Sequence, residues 1–491
     1  MSTALTFGHI LWALCGYPPT EDPPGSRGDL AVSVRDVVVD SRLAQAGSVF
    51  IALRGEVTDG HLYVRDSFDR GAIGAIVERV PEGLSAIDLS SGDRELPSEI
   101  SLPVCLVVRD ALAALQRVAA WWRARFAVRV VGITGSVGKT TTKEFVASVL
   151  GQRYRVLKSL GNYNNEIGLP LALLQLEDHH EHVVLEMGTY GLGEITLLTE
   201  IARPHIGIVT NVGPVHLERM GTVERIAQAK SELPQALPPN GVAVLNGDDR
   251  WVRAMAEKTQ ARAFLYGLTP DCDLWADEVV SRGLEGVRFQ FHYQDETVHV
   301  HIPLLGQHSV HTALRAAAVG LIEGLSWDEI LHGLRTGEQL RLVVVPGANG
   351  STLLDDTYNS SPDSAIAALN LLDEFSGRKV AVMGDMLELG GYAVEGHRRV
   401  GRRAMDVASI LITIGELGAL IGREAIDYGM PPERVIQTTD NDAAIVCLQD
   451  LLQEGDIVLV KGSRGLAMEQ IVESLARPPA NGSAEEESGG R

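Results

Sequence analysis

The run Val131-Gly132-Ile133-Thr134-Gly135-Ser136-Val137-Gly138-Lys139-Thr140-Thr141 carries the groups that hold a polyphosphate. It follows an apolar stretch, Val128–Ile133, that reads as a buried strand, and precedes Thr142–Leu150, which reads as a helix. Glycines let backbone N–H groups approach phosphate oxygens, and a helix N-terminus adds its positive dipole end. Lys139 supplies a point charge for the outer phosphates and Thr140 a hydroxyl for Mg²⁺. Gly135, Ser136, Val137, Gly138, Lys139, Thr140 and Thr141 are therefore expected to line an ATP site. The spacing departs from the general phosphate-loop pattern, since Ile133 stands where a first glycine is usual. A chance Gly-Lys-Thr in a tight turn is the bland alternative; the strand and helix on either side argue against it.

Other residues have the chemistry to join such a site. Glu186 ends the strand candidate His182–Glu186, and an acid inside an apolar strand must be paired or metal-bound. The carboxyl ends of parallel strands face the ligand crevice. His216 follows the strand candidate Ile206–Thr210; alone, it reads as a turn histidine bonded to backbone. Lys230, from spacing alone, reads as a solvated helix lysine. Asn162 and Asn165 lie in an Asn/Gly cluster of the kind that forms turns. Ser41 and Arg42 follow Asp40, and an arginine beside a diphosphate suits fork-shaped recognition, although a strand-end salt bridge explains it too. Asp356, Tyr358 and Asn359 end a strand and open a loop, with a helix cap before Pro362 as the alternative. Lys461 and Arg464 follow a buried strand; buried without an anion, two cations would be costly.

The elements that position these residues alternate. Val37–Arg42, Ser48–Leu53 and Ala72–Val77 are strand-like, Ser85–Pro103 reads as a surface loop, and Asp110–Phe126 has helical apolar spacing. Strand candidates Val128–Ile133, His182–Glu186, Ile206–Thr210 and Val242–Leu245, with helices between, predict a parallel sheet covered on both faces. Alternation within Asp273–Pro303 predicts an antiparallel excursion. A second run begins near Glu338, with strands Thr352–Asp355, Lys379–Met383, Ile410–Ile414 and Ile457–Val460. The expectation is an α/β protein of three domains: a small mixed α/β domain over 1–107, a central phosphate-loop parallel-sheet domain over 108–337, and a dinucleotide-binding-like α/β domain over 338–477. Residues 478–491 read as a disordered tail.

Composition bounds the partners. The chain has 491 residues, a formal net charge of −21 and 45% hydrophobic residues. Such acidity argues against nucleic acid or an anionic membrane, though a local basic pocket for a phosphorylated substrate fits. The four cysteines are scattered, so neither a zinc site nor a disulfide framework is indicated and a reducing, cytoplasmic setting is expected. Ala4–Cys15 is apolar but short and lacks a basic flank, which predicts a core helix rather than a signal peptide. No apolar run is long enough to span a membrane.

Further motifs follow the phosphate loop in order: Gly161-Asn162-Tyr163-Asn164-Asn165-Glu166-Ile167-Gly168, Leu185-Glu186-Met187-Gly188, Thr210 to Glu218, Ala227 to Leu233, Asp355 to Asn359, Met383-Gly384-Asp385-Met386-Leu387-Glu388-Leu389-Gly390 and Lys461-Gly462-Ser463-Arg464. In this order they resemble the Mur ligases of bacterial cell-wall synthesis, over nearly the whole chain. The Gly384–Gly390 and Lys461–Arg464 segments, with Met468-Glu469 beyond, resemble the member that adds a dipeptide. The resemblance implies an ATP- and Mg²⁺-dependent ligase joining D-Ala-D-Ala to UDP-muramoyl tripeptide through an acyl phosphate, in a monomer. It implies that Thr140, Glu186 and His216 hold metal, that Lys139, Lys230, His216 and Glu186 are catalytic, and that Lys230 is carbamylated by CO₂. It assigns His308, Arg341 and Asp356 to ATP, and Ser41, Arg42, Asn162, Asn165, Tyr358, Asn359, Lys461 and Arg464 to the substrates. The family's Gly-x-His-Asn-x-x-Asn hinge is here Gly306-Gln307-His308-Ser309-Val310-His311-Thr312, so both asparagines are replaced. Another Mur-type or folate-glutamate ligase, a phosphate-loop ATPase or kinase without peptide acceptor, and a regulatory protein with a degenerate site are the competing readings.

Overall fold

The computed structural model describes residues 4–21, 28–55, 58–91, 100–161, 163–337 and 343–477. Three sheets follow one another along the chain. The first comprises β1 (Val37–Val38), β2 (Val49–Ile51), β3 (Gly74–Val77), β4 (Ala86–Asp88) and β5 (Val104–Val107), in the order β1-β2-β3-β5-β4. Every neighbouring pair in it is parallel. Ala4–Cys15 folds as expected: Phe7–Leu14 is a helix buried throughout, and the Thr6 hydroxyl accepts from His9 N at its start. That helix and Ala111–Arg123 share one core with Leu169, Leu173 and Leu198, so the first sheet and the central region are joined by a continuous apolar mass.

The second sheet contains β6 (Arg129–Thr134), β7 (Val156–Lys158), β8 (His182–Glu186), β9 (Ile206–Val209), β10 (Val242–Asn246), β11 (Arg262–Gly267), β12 (Leu274–Ser281), β13 (Val287–Tyr293) and β14 (Glu296–Ile302). Their order is β14-β13-β12-β11-β10-β9-β6-β8-β7. Pairing is parallel from β7 to β12 and antiparallel through β12, β13 and β14, the predicted excursion. Helices Lys139–Leu150 and Ser309–Ile322 pack with Val131, Ile133, Ile206 and Ile208 on one face. Helix Val223–Gln235 lies on the other, drawn close by two glycines. A Cβ on Gly207 would stand 3.0 Å from Leu233 Cγ, and one on Gly132 would stand 3.2 Å from its Cδ1. Burying Leu233 there contributes roughly 2 kcal/mol and fixes the height at which Lys230, one turn earlier, meets the sheet edge.

The third sheet comprises β15 (Val343–Pro346), β16 (Thr352–Asp356), β17 (Lys379–Gly384), β18 (Ile410–Ile414), β19 (Val435–Thr438) and β20 (Ile457–Lys461), ordered β15-β16-β20-β17-β18-β19. Only β15 runs antiparallel to its neighbour. Helices Pro362–Glu374 and Ala393–Val407 cover one face, and Asn441–Leu451 and Glu469–Leu475 the other.

Some expectations need correction. Ser85–Pro103 is not simply a loop: β4 lies within it, an edge strand too short and too exposed to leave an apolar pattern. The strand expected over Val37–Arg42 ends at Val38, because the Asp40 carboxylate accepts from Arg42 N and turns Ser41–Leu43 into a 3-10 turn. β5, β7, β11, β15 and β19 were not anticipated; β7 and β19 are partly exposed edge strands. Residues 478–491 lie outside the described residues. Among the described residues, no helix is long and apolar enough to cross a membrane, and the four cysteines are unpaired.

Candidate active site

β6 ends at Thr134 in a turn that only glycine can make. Gly135 has φ +145°, and a Cβ on it would fall 1.8 Å from Thr210 Oγ1. The segment after β9 braces the loop. Asn211 Oδ1 accepts from Val137 N at 2.9 Å, while Thr210 Oγ1 and Asn211 Nδ2 donate to Val137 O at 2.7 and 3.0 Å. Ser136 Oγ donates to Gly213 O at 3.1 Å. Gly138, with φ +85°, starts helix Lys139–Leu150, whose first N–H groups have no intrahelical acceptor. Lys139 folds back over the loop, its Nζ donating to Gly135 O at 2.9 Å. Val137 lies in the loop, and Thr141 in the first turn of the helix that follows it.

Glu186, 2% exposed, sits at the carboxyl end of β8. Thr140 Oγ1 donates to its Oε2 and Asn164 Nδ2 to its Oε1, each at 2.8 Å. The expected pairing of this strand acid is met by neutral groups rather than by a cation. Asn164 is itself held, its carbonyl accepting from Gly188 N at 2.8 Å. The loop before it is pinned by Lys143, which is fully buried and donates to Ser159 O at 2.7 Å and Gly161 O at 2.9 Å. The helix that follows the phosphate loop thus also anchors the loop that orients Glu186.

Lys230 overturns its reading as a solvated helix lysine. It is 3% exposed, and among the described residues no group accepts a hydrogen bond from it. Burial, reinforced by the Lys139 cation, pulls its pKa well below the usual lysine range. His216 is not a backbone-bonded turn histidine either. It stands in the left-handed region at φ 52°, its ring 4.6 Å from that of Tyr190, and its Nδ1 is 2.5 Å from Glu388 Oε2. Partial burial lowers the His216 pKa; the Glu388 carboxylate opposes this, and the Lys139 and Lys230 cations add to it. Lys139, Thr140, Glu186, His216 and Lys230 therefore converge. Among the described residues, no three or more His, Cys, Asp or Glu side chains gather as a metal cage.

The C-terminal residues face this crevice. Lys461 is 1% exposed, and its Nζ donates to Asp356 Oδ2 at 2.7 Å and Asn359 O at 2.8 Å. Its charge is thus met within the site and orders the loop carrying Tyr358. Asp356 does not cap the following helix; Ser361 does. The Arg464 guanidinium lies 5.5 Å from the Tyr358 ring centre and is exposed. His308 precedes helix Ser309–Ile322 at the surface. Asn165 Oδ1 accepts from Gly168 N at 2.8 Å, a local turn bond. In the first domain, Ser41 is buried, while Arg42 is exposed and doubly bonded to Asp40, which holds the Asp40 pKa at about 2. Arg341 and Asn162 lie outside the described residues.

Sequence reasoning missed Asn164, Asn211, Lys143 and Glu388. A neutral amide adjacent to Asn165 carries no signal that it, rather than its neighbour, reaches the strand acid. Lys143 follows Lys139 by one helical turn and reads as an ordinary helix lysine.

Known proteins match this chain in sequence and in fold. The Mur ligase middle domain matches residues 133–320, and the Mur ligase, glutamate ligase domain matches residues 340–464. UDP-N-acetylmuramoyl-tripeptide–D-alanyl-D-alanine ligase of Bacillus subtilis is 34% identical over 453 residues, covering 91% of this chain and 94% of that protein. The crystal structure of MurF from Acinetobacter baumannii superposes with a TM-score of 0.81 at 30% identity, covering 96% and 98% of the two chains. MurF ligase from Thermotoga maritima, in complex with ADP, superposes with a TM-score of 0.76 at 27% identity, covering 90% and 97%. Matches that run through all three sheets, and through the loops that bring Lys139, Glu186 and Lys230 together, leave one assignment: the chain belongs to the Mur ligase family.

Proposed function

We propose that this chain is an ATP-dependent ligase that joins D-Ala-D-Ala to the terminal carboxylate of UDP-N-acetylmuramoyl tripeptide. The observation that carries the reading is the buried amine of Lys230, without a hydrogen-bond acceptor among the described residues, within electrostatic reach of Lys139 in the phosphate loop and of His216. The relatives named for this reaction, matched over about nine-tenths of the chain, support it. Residues 1–107 take the UDP moiety through Ser41 and Arg42, residues 108–337 take ATP, and residues 338–477 bring the amine substrate and close on ATP. Asn165, Tyr358, Asn359 and Arg464 face the peptide substrates, and Lys461 orders their loop. Asp356 and His308 face the nucleotide; Asn162 and Arg341 are assigned to the same sites from resemblance alone. The enzyme acts in the cytoplasm as a monomer.

A carboxylate is a poor electrophile and must be activated. The γ-phosphoryl group of ATP passes to the tripeptide carboxylate, giving ADP and an acyl phosphate. Lys139 and the loop N–H groups stabilise the phosphoryl charge as it moves. The free amine of D-Ala-D-Ala then attacks the acyl carbon; phosphate leaves, the amide forms and the amine gives up a proton. Domain closure excludes water that would hydrolyse the acyl phosphate. Thr140 and Glu186, buried oxygen donors 2.8 Å apart, suit a hard cation that keeps water and phosphate oxygens as its other ligands; with His216 they would hold Mg²⁺, which supplies charge neutralisation. A depressed pKa leaves Lys230 with a free lone pair. Its attack on CO₂ forms an N–C bond and releases a proton, giving an anionic carbamate.

The test is phosphate release and product mass from purified protein with ATP, Mg²⁺, the UDP-tripeptide and D-Ala-D-Ala. Turnover that requires both acceptor and dipeptide is expected. Turnover with ATP alone, or equal rates with free L-glutamate, overturns the reading.

A further inference from the structure

Helix Ser309–Ile322 carries a buried cation that the mechanism above does not use. Arg315 is 4% exposed. Its Nε donates to His311 O at 2.8 Å and its Nη2 to Thr312 Oγ1 at 3.0 Å, and its Cζ lies 6.0 Å from the centre of the Tyr266 ring. Among the described residues, no carboxylate pairs with it and Nη1 has no acceptor. A buried guanidinium without an anionic partner is costly and calls for a ligand. Its open edge points at the nucleotide site: a Cβ on Gly138 would stand 3.3 Å from Nη1.

The sheet order says which part of a nucleotide lies there. The phosphate loop follows β6. Glu186 lies at the end of β8, on one side of that loop, with Tyr190 beyond it, and the His216 ring reaches Tyr190 from the segment after β9. The outer phosphates and the reacting carboxylate belong on that side. The base belongs on the other, along β9, β10 and β11. Arg315 stands there with Tyr266 and with His311, whose Nε2 is 2.8 Å from Asp248 Oδ2. The two hinge hydroxyls are already engaged, Ser309 Oγ with Leu305 O at 2.5 Å and Thr312 Oγ1 with Arg315. Nη1, by contrast, keeps an N–H edge that no group among the described residues accepts, and it can address the base.

A guanidinium only donates. Adenine offers it N7 but turns the N6 amino group, another donor, toward it. Guanine and hypoxanthine offer two acceptors, N7 and O6, one for each N–H of Nη1. We propose that Arg315 is the specificity-determining residue of the nucleotide site, donating through Nη1 to the N7/O6 edge, so that the chain takes guanosine and inosine nucleotides alongside adenosine nucleotides. The inference rests on the nucleotide site of the proposed ligase but not on its peptide chemistry.

Displacement of a fluorescent ADP analogue by ADP, GDP and IDP from the full chain reads base choice without any peptide substrate, so a failed ligase assay leaves it interpretable. GDP and IDP are expected to displace within about tenfold of ADP. Arg315→Met, which keeps an unbranched stem, should weaken GDP and IDP by roughly tenfold relative to ADP. IDP should track GDP, because it keeps N7 and O6 and lacks only the 2-amino group. Arg315→Lys, which retains a cation without the fork, should fall between the two; it keeps the test open if the Met variant does not fold. Wild-type exclusion of GDP by more than about a hundredfold, or equal weakening of all three ligands in the variants, overturns the proposal; the latter would mark Arg315 as a phosphate or packing residue.

Discussion

The two ends of the nucleotide crevice are built differently. At the phosphate end the loop and its support are tied by short hydrogen bonds: Val137 N to Asn211, Thr140 to Glu186, Asn164 to Glu186. At the hinge end the side chains at Ser309 and Thr312 turn back onto their own helix, and Arg315 keeps an open donor edge. The phosphates are the same in every nucleotide, and the chemistry that moves them tolerates little displacement. The base is remote from the reacting atoms, and its recognition contributes binding rather than transition-state stabilisation. A change of residue type at the first end should therefore cost turnover, while one at the second should shift base choice.

The largest effects should come from the phosphate end. Lys139→Ala should lower kcat by on the order of 10²–10³-fold with thermal stability retained, because positioned charge is lost from an intact loop. Stopped-flow phosphate release with a melting curve for the same variant checks both halves; near-wild-type turnover in a folded variant removes the distinction between the two ends.

Lys230→Met should abolish turnover and yet stabilise the protein. The folded pKa is depressed by burial, while the unfolded value is the ordinary one near 10.4. Between the two, the unfolded chain holds a proton that the folded chain lacks, so stability rises with pH up to the unfolded value. Below the folded pKa an ammonium must be buried, and the cost is greatest. Methionine removes that cost, a gain on the order of 1–4 kcal/mol at neutral pH, and flattens the pH dependence. Urea melts in CO₂-free buffer across pH 6–9 measure it; a destabilised variant would mean that the amine is paired in solution.

Asn164→Ala should act more mildly and on one substrate only. It removes one hydrogen bond to a buried carboxylate, and loss of such support typically weakens metal binding by about 10–100-fold. Apparent KM for Mg²⁺ should rise while KM for D-Ala-D-Ala stays put. A parallel rise in both would show that Asn164 holds the whole loop rather than Glu186.

How much of this was legible in the sequence follows the same division. Strands β6, β8, β9 and β10, the antiparallel excursion and the third-sheet strands β16, β17, β18 and β20 announced themselves, because buried parallel strands are continuous apolar runs. Edge strands such as β4 and β7, half exposed and three residues long, carry no such run. In the site, Glu186 was legible because an acid in an apolar strand demands a partner. Lys230 was not: Ile226, Ala227, Leu233 and Pro234 put it on the apolar stripe of its helix, but a lone lysine there reads as a side chain that snorkels to solvent, and its burial comes from the close approach at Gly132 and Gly207. Its role came from resemblance alone. Asn164 and Glu388 were hidden because tertiary contact, not local pattern, selects them. Arg315 was hidden because an arginine three residues from the end of a motif reads as surface.

The smallest effect is expected at the hinge, and it sharpens the comparison most. Asparagine at both Ser309 and Thr312 would offer a donor and an acceptor to the N6/N7 edge of adenine, a pairing that hydroxyls cannot copy. The gain should be modest, since one added hydrogen bond is worth about 0.5–1.5 kcal/mol. The same change takes from Arg315 Nη2 its hydroxyl acceptor on Thr312, which frees the guanidinium to move and weakens its hold on a guanine edge. Both consequences push the same way, so kcat/KM for ATP relative to GTP should rise by several-fold in the double variant while kcat with ATP is unchanged. If the ratio stays level or falls, the hinge does not read the base in this protein, and the open edge of Arg315 must serve the phosphates instead.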